Sequence, residues 1–485
     1  MGIRDPGPAM PPGTKPLETV EALLGMPVAS APAEAHRISR LGWAGVAVFG
    51  CALLALPRFG HVDDSDAAVY RVVVRNMVAD RTWFDLRYLP AVHPHFHEHL
   101  PFGFWPAAAV VRLFGEGAIA WVSGLETLLL LACAAWLARR LSDDLAGAGA
   151  FVVLATTESV FVLGPTARLD SLLMLLIMLS VLPLIGPVPR HRPLGILSAA
   201  LAALVKGPFG VLPWCCASAA RAIVDRKPSA IVWGIAGAAL GLLPAGAFLF
   251  WNHLAGDGAW WEGYGKAQLL ASAVGSRPDG LAPFWYPLLA VGGRFWPGLP
   301  LAVAGFVLAI RGRDQRLRII ALTCLFILVG LMTPARKVWN HSLILFPLLA
   351  LLSGVALSHL MRRVSSRAVE RAAAGLALAS IVALALGAGR LWRPHCVAAG
   401  PLHAQLARLP PGTPIAAVSE LPSWLTIGSL AAELRLTPAP ARSLADVPAT
   451  DSWAVVEASR WVPGAWREIG SGGGWLVAER PPAAK

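Results

Sequence analysis

Long apolar runs recur along this 485-residue chain from Leu41 to Gly389. At about 14 to 24 residues each, they approach the roughly 20 that an α-helix needs to cross a hydrocarbon core of about 30 Å. A backbone inside lipid must satisfy its own hydrogen bonds, so such runs make the chain a polytopic helical membrane protein. Composition agrees. The chain is 56% hydrophobic and 14% charged, where ordinary soluble domains carry about 25% charged residues. Its formal charge of +12 would suit nucleic acid in a soluble protein. Here most Arg and Lys cluster in short connections between apolar runs, which is the signature of cytoplasmic loops, and nucleic acid drops out as a partner. Cys51, Cys133, Cys215, Cys216 and Cys324 lie inside apolar runs and Cys396 beyond them, so neither a disulfide framework nor a CxxC metal site is implied. The polar lead before Leu41 argues against a cleavable signal and for an anchor that stays.

Connections dense in positive charge fix a topology. Besides Arg37 and Arg40, five sets stand out: Arg139 and Arg140; Arg190 and Arg192; Arg221, Arg226 and Lys227; Arg311, Arg313, Arg316 and Arg318; Arg362, Arg363, Arg367 and Arg371. Alternating around them predicts spans at 41–57, 118–138, 146–164, 169–186, 193–205, 208–224, 229–253, 296–310, 319–333, 338–360 and 372–389. The expected fold is therefore an all-α polytopic membrane protein of about 11–13 transmembrane helices. A cytoplasmic tail (1–40) precedes the membrane domain (41–390), and a small α/β periplasmic domain (391–485) follows it. The pair 193–205 and 208–224 reads as a hairpin with its tip outside, although a single bent segment is the rival. On this topology the unusual polar groups gather on the outer face, in loop 58–117, the Arg168–Asp170 turn, the Lys206 tip, loop 254–296 and the Arg336–Lys337 turn.

The first outer loop carries Asp63, Asp64 and Asp66 ahead of a segment with apolar residues at 69, 72, 73 and 77, which predicts an amphipathic helix lying in the membrane interface. The plainer reading of these acids is that they cap that helix. Further on, His93, His95, His97, Glu98 and His99 form a set that can bind a divalent metal, and solvated loop histidines are the competing reading. Glu126 and Glu158 fall inside apolar spans and must face protein or water. Of the nineteen tryptophans, Trp260, Trp261, Trp285 and Trp296 lie where a sugar could stack, though an interfacial belt is the commoner role.

The order of several motifs resembles the C-fold (GT-C) glycosyltransferases, specifically the protein O-mannosyltransferase and lipid A aminoarabinose transferase group. These are Asp66 with Tyr70 and Met77, Trp83, Glu98-x-x-Pro101, Trp105, Leu113-Phe-Gly115, Arg168-Leu-Asp170, Lys206-Gly-Pro208, Pro283 to Tyr286, Trp296-Pro297 and Arg336-Lys337. They cover roughly residues 41 to 360. The resemblance implies sugar transfer from a polyprenyl-phosphate donor to a lipid, glycan or protein acceptor on the periplasmic side of the bacterial inner membrane. It implies Asp66 as general base or acceptor-orienting group, with Asp63 and Asp64 as rivals. Glu98 would bind metal or substrate, His97 would join it as a metal ligand, and Tyr70, His99, Arg168, Asp170, Lys206, Arg336 and Lys337 would line the substrate cavity. Three departures stand out: Ala67 where the family usually carries a second acid, His99 where a basic residue follows the Glu, and Glu262, Lys266 and Gln268 but no His in the loop from Trp260 to Ala273, where some relatives place a metal ligand.

Such a transfer needs a more nucleophilic acceptor hydroxyl, a stabilised carbocation-like sugar centre and a neutralised phosphate leaving group. Carboxylates and fixed cations are the residue types for the first and last. Headgroup snorkelling is the alternative for cations at helix ends. The tail reads as a small domain with strands at 414–419, 453–457 and 474–478 and helical stretches at 402–409 and 422–434. A lipid-linked sugar transporter and an inactive assembly subunit are the rival functions; the absence of an internal repeat argues against the first.

Overall fold

The structure, a computed structural model, describes residues 37–60, 65–89, 94–186, 192–256, 258–276, 280–296, 298–361, 364–386, 402–419, 430–462, 464–472 and 474–481. Asp63, Asp64, His93, Pro297 and nearly all of the expected 1–40 tail lie outside the described residues.

The helices are α1 Arg40–Gly60, α2 Ser65–Ala79, α3 Trp105–Phe114, α4 Ile119–Leu141, α5 Asp144–Thr156, α6 Asp170–Ile185 and α7 Arg192–Lys206. Then follow α8 Leu212–Asp225, α9 Ser229–Ala255, α10 Tyr286–Arg294, α11 Leu299–Arg311, α12 Gln315–Met332, α13 Phe346–Leu360 and α14 Ser366–Ala385. Each expected span overlaps one of them. Among the described residues, six helices are long and apolar enough to cross a membrane: Glu116–Leu141, Arg192–Gly210, Ser229–Ala255, Gln315–Met332, Trp339–Leu360 and Ser366–Ala385. Others are shorter than their apolar runs. The run 146–164 breaks at Thr157, whose extended backbone ends α5, and Glu158 takes an exposed position at that break. The hairpin reading of 193–224 holds, with α7 and α8 joined by a 3-10 turn, Gly207–Gly210.

Burial follows from which helix faces are apolar. α13 is apolar all round and sits at the centre, with Phe346, Leu348, Leu351 and Leu352 sealed from solvent. It packs on α5 through small residues: a Cβ on Gly354 would come within 2.2 Å of the Ala146 carbonyl oxygen. α9 instead turns Ile231, Val232, Ile235, Leu240, Leu243 and Phe250 outward, as a lipid-facing helix must. α2 forms where expected, but Val69, Val72, Val73 and Met77 are buried in protein, so its apolar face is not free to lie on a lipid surface.

The C-terminal domain holds a five-stranded mixed sheet: β1 Pro414–Val418, β2 Thr437–Ala441, β3 Trp453–Glu457, β4 Arg467–Gly472 and β5 Trp475–Glu479, in the order β2-β1-β3-β5-β4. β1 pairs parallel with β2 and β3, and β5 antiparallel with β3 and β4. Three of these strands match the sequence expectation. β2 carries two prolines and takes an edge, where missing donors cost least. The expected 402–409 helix shrinks to His403–Leu406, and most of 422–434 lies outside the described residues. This domain meets α2 through Arg71, ion-paired with Glu433, and through Arg75, whose Nη1 donates to the Ala431 carbonyl at 3.1 Å.

Candidate active site

The first residue of α6 is Asp170 and the last of α7 is Lys206, and these helices pack against each other as consecutive neighbours. A carboxylate at a helix N-terminus and an ammonium at a C-terminus each complement the local dipole. Antiparallel packing then brings the two together, with Lys206 Nζ 2.6 Å from Asp170 Oδ1. Arg168, two residues before α6, donates from Nε to Asp170 Oδ2 at 2.7 Å. Its Nη2 lies 2.9 Å from Oδ2 of Asp66, in the first turn of α2. The result is a ladder, Asp66–Arg168–Asp170–Lys206, that alternates in sign. Its inner rungs are dry: side-chain exposure is 2% for Arg168, 5% for Asp170 and 11% for Lys206, against 41% for Asp66. Asp170 thus lies beneath the site and ties its cations together.

Above the ladder opens a cavity of about 760 Å³. Asp66, Tyr70, Glu98, His99, Arg168, Lys206 and Arg336 all line it, bringing together residues from five separate segments. Its apolar wall includes Phe209, Leu212, Leu269, Leu270 and Trp339. Tyr70 is buried among Phe96, His99 and Phe104, and its hydroxyl is 2.6 Å from His99 Nε2. Burial first, and then the charge of Asp66, pushes the phenol well above the ordinary tyrosine range. Burial and then the Lys206 ammonium push His99 down to about 3, so the Tyr70–His99 pair is uncharged at neutral pH. At the Lys206 tip, Gly207 has φ +60°, and a Cβ there would lie 2.2 Å from the Tyr264 hydroxyl oxygen, so glycine is required on both counts. Ser272 and Gly280 are clipped to the 336–337 turn, with Arg336 N donating to Ser272 O at 3.0 Å and Lys337 N to Gly280 O at 2.7 Å.

Three expectations are corrected here, the first being Asp170, which holds Arg168 and Lys206 from below and does not line the cavity. Lys337 does not line the cavity: it is buried, and its Nζ donates to the carbonyls of Pro334 at 2.6 Å, Ala282 at 3.3 Å and Ala335 at 3.4 Å. His97 with Glu98 is not the ligand grouping found among the described residues. Glu98 lines the cavity, while His97 groups with His95 and Asp85 on the part of the loop that does not line it. Tyr264, Trp339, Asn340 and His341 line the cavity although nothing in the sequence reading singled them out. Asn340 and His341 did carry a signal, being a polar pair just inside an apolar run. Of the four loop tryptophans, Trp260 is buried against His97, and Trp261, Trp285 and Trp296 are exposed as belt residues would be. Glu126 is half-buried at a small void beside Arg168 and Ser123.

No protein-family model matches the chain, and no curated protein matches it by sequence. Solved structures do match. ArnT from Cupriavidus metallidurans bound to undecaprenyl phosphate superposes with a TM-score of 0.70 at 16% identity, covering 92% of this chain and 99% of that one. The fold is that of the C-fold glycosyltransferases. The apo state of the same ArnT gives a TM-score of 0.67 at 17% identity, over 90% of this chain and 98% of that one. The oligosaccharyltransferase of Archaeoglobus fulgidus in its apo form gives 0.55 at 14% identity, over 86% and 70%. The C-fold architecture expected from the sequence is therefore present across almost the whole chain.

Proposed function

We propose that the chain is a membrane glycosyltransferase that takes a sugar from a polyprenyl-phosphate carrier. It transfers that sugar to a hydroxyl of a lipid, glycan or protein acceptor at the periplasmic face of the inner membrane. The observation that carries this reading is one cavity in which a half-exposed carboxylate, Asp66, faces three cations from separate segments, Arg168, Lys206 and Arg336. The apolar wall beside them suits the first isoprene units of a carrier. An ArnT crystallised with undecaprenyl phosphate shares the fold, which supports a carrier of that class.

The reaction balances on these groups. The acceptor oxygen attacks the anomeric carbon while Asp66 takes the hydroxyl proton, a contribution typically worth about 10²- to 10⁴-fold. The bond from that carbon to the phosphate oxygen breaks, and the phosphate leaves with the electron pair beside Lys206 and Arg336. Arg168 orients the Asp66 carboxylate. The periplasmic side is supported by where basic clusters fall: Arg192 starts α7 and Lys206 ends it, while Arg316 and Arg318 start α12 and Arg336 follows its end. The cavity thus lies at the helix ends opposite these basic clusters.

The test presents membranes containing the protein with a panel of radiolabelled polyprenyl-phosphate sugars, comparing wild type with Asp66→Asn. Transfer by the wild type and a loss of about 10²- to 10⁴-fold in the variant is expected. No transfer from any donor by folded protein would favour the transporter. One observation keeps the inactive subunit as a second reading: Ala67, where the family usually has an acid, is buried.

A further inference from the structure

Outside the cavity, the first outer loop gathers Asp85, His95 and His97 so that one ligand atom from each lies within 4.8 Å of the others. We infer that these three side chains form a binding site for a zinc-class divalent ion, separate from the sugar-transfer cavity, that braces the loop carrying Glu98 and His99. None of the three lines the cavity, whereas Glu98 and His99 do.

The geometry is organised from two sides. A backbone bond from Phe96 N to Leu86 O, 2.7 Å, closes the loop and sets Asp85 opposite His95, whose Nδ1 is 3.2 Å from Asp85 Oδ1. The other Asp85 oxygen accepts from Arg87 Nε at 3.2 Å, which leaves Oδ1 facing the histidines. The His95 and His97 rings lie nearly parallel, 5.6 Å apart. His97 is held from loop 254–296, with its ring 4.4 Å from that of Trp260, and Gly263 leaves it room: a Cβ there would come within 2.6 Å of His97 Cβ. Tetrahedral zinc with bonds of about 2.0–2.1 Å sets its ligands roughly 3.4 Å apart, so closing on an ion takes a shift of about 1 Å, mostly in the exposed His95 and partly exposed Asp85 side chains. Two imidazoles and one carboxylate suit zinc and leave one position for water. The competing description is a hydrogen-bonded His95–Asp85 pair on a solvated loop.

The inference does not depend on the sugar-transfer reading. The test is equilibrium binding of Co²⁺ to tag-free, detergent-solubilised full-length protein, followed by its visible d–d absorption and by Zn²⁺ competition. Wild type should bind one Co²⁺ with the spectrum of a low-coordinate N/O site that Zn²⁺ displaces. His95→Ala, at an exposed position, and Asp85→Asn, at a partly exposed one, should each weaken binding by about 100-fold or more. Glu98→Gln should leave it unchanged. No Co²⁺ binding by the wild type overturns the site, and so does binding lost in Glu98→Gln but kept in His95→Ala, which would put the ion in the cavity.

Discussion

Asp170 holds two cations in a nearly dry position, so it governs stability as much as chemistry. Removing one partner of a buried ion pair leaves charge uncompensated, which typically costs about 3–5 kcal/mol. Asp170→Asn should therefore lower the thermal midpoint in detergent sharply. The triple variant Arg168→Met, Asp170→Leu, Lys206→Met removes the three buried charges together and leaves only the half-exposed Asp66, an exchange that is often neutral or stabilising. It should recover most of that midpoint while having no transfer activity. If Asp170→Asn melts like wild type, the ladder is not the internal support described here. Asp66 differs in kind, because it is half exposed and the buried Arg168 keeps Asp170 as a partner when Asp66 is changed, so Asp66→Asn should lose activity with at most a small fall in its midpoint. The motifs made both acids and both cations legible. They did not separate Arg336, which lines the cavity, from Lys337, whose ammonium is held by three carbonyls, because neighbouring cations in a turn look alike until side-chain directions are fixed.

At the scale of elements, the tip between α7 and α8 meets loop 254–296 where Gly207 lies against Tyr264. Gly207→Ala meets a 2.2 Å contact and a backbone that alanine adopts at a cost of roughly 1–2 kcal/mol. In a Tyr264→Phe background the nearest ring atom is Cζ, at 3.3 Å, so the steric part should ease and the backbone part remain. Thermal midpoints should thus fall more for Gly207→Ala in wild type than in Tyr264→Phe; equal losses would mean the contact is not as tight as described. The helix pattern was legible here because apolar run length and turn residues are local. The contact was not, since 57 positions separate the partners and nothing in either segment names the other.

Across the whole molecule, the C-terminal domain and the cavity share α2: Asp66 and Tyr70 face the cavity, and Arg71 and Arg75 face the domain. The Arg71–Glu433 pair is partly exposed, so it should couple the two by roughly 0.2–1 kcal/mol. Arg71→Glu should reduce transfer modestly, and combining it with Glu433→Arg should restore it; failure of the swap to restore activity would argue that the domain is not coupled through this pair. Sidedness belongs at this scale too. A single cysteine at Lys266, introduced into a cysteine-free chain, should react in spheroplasts with a membrane-impermeant maleimide, whereas one at Arg313 should react only after lysis. Reversed labelling would put the cavity on the cytoplasmic side. The sequence alone determined that this is a bundle of apolar helices, which ends of those helices carry positive charge, and which acids and bases stand between them. Those properties are written in run length and local composition. Tertiary structure alone decided that Asp66, Arg168, Asp170 and Lys206 form one alternating ladder, that Asn340 and His341 join the cavity, and that His97 turns to His95 and Asp85 rather than to Glu98. Such choices depend on side-chain direction and on packing between segments distant in the chain, where each small local preference yields to the cost of stranding a buried charge.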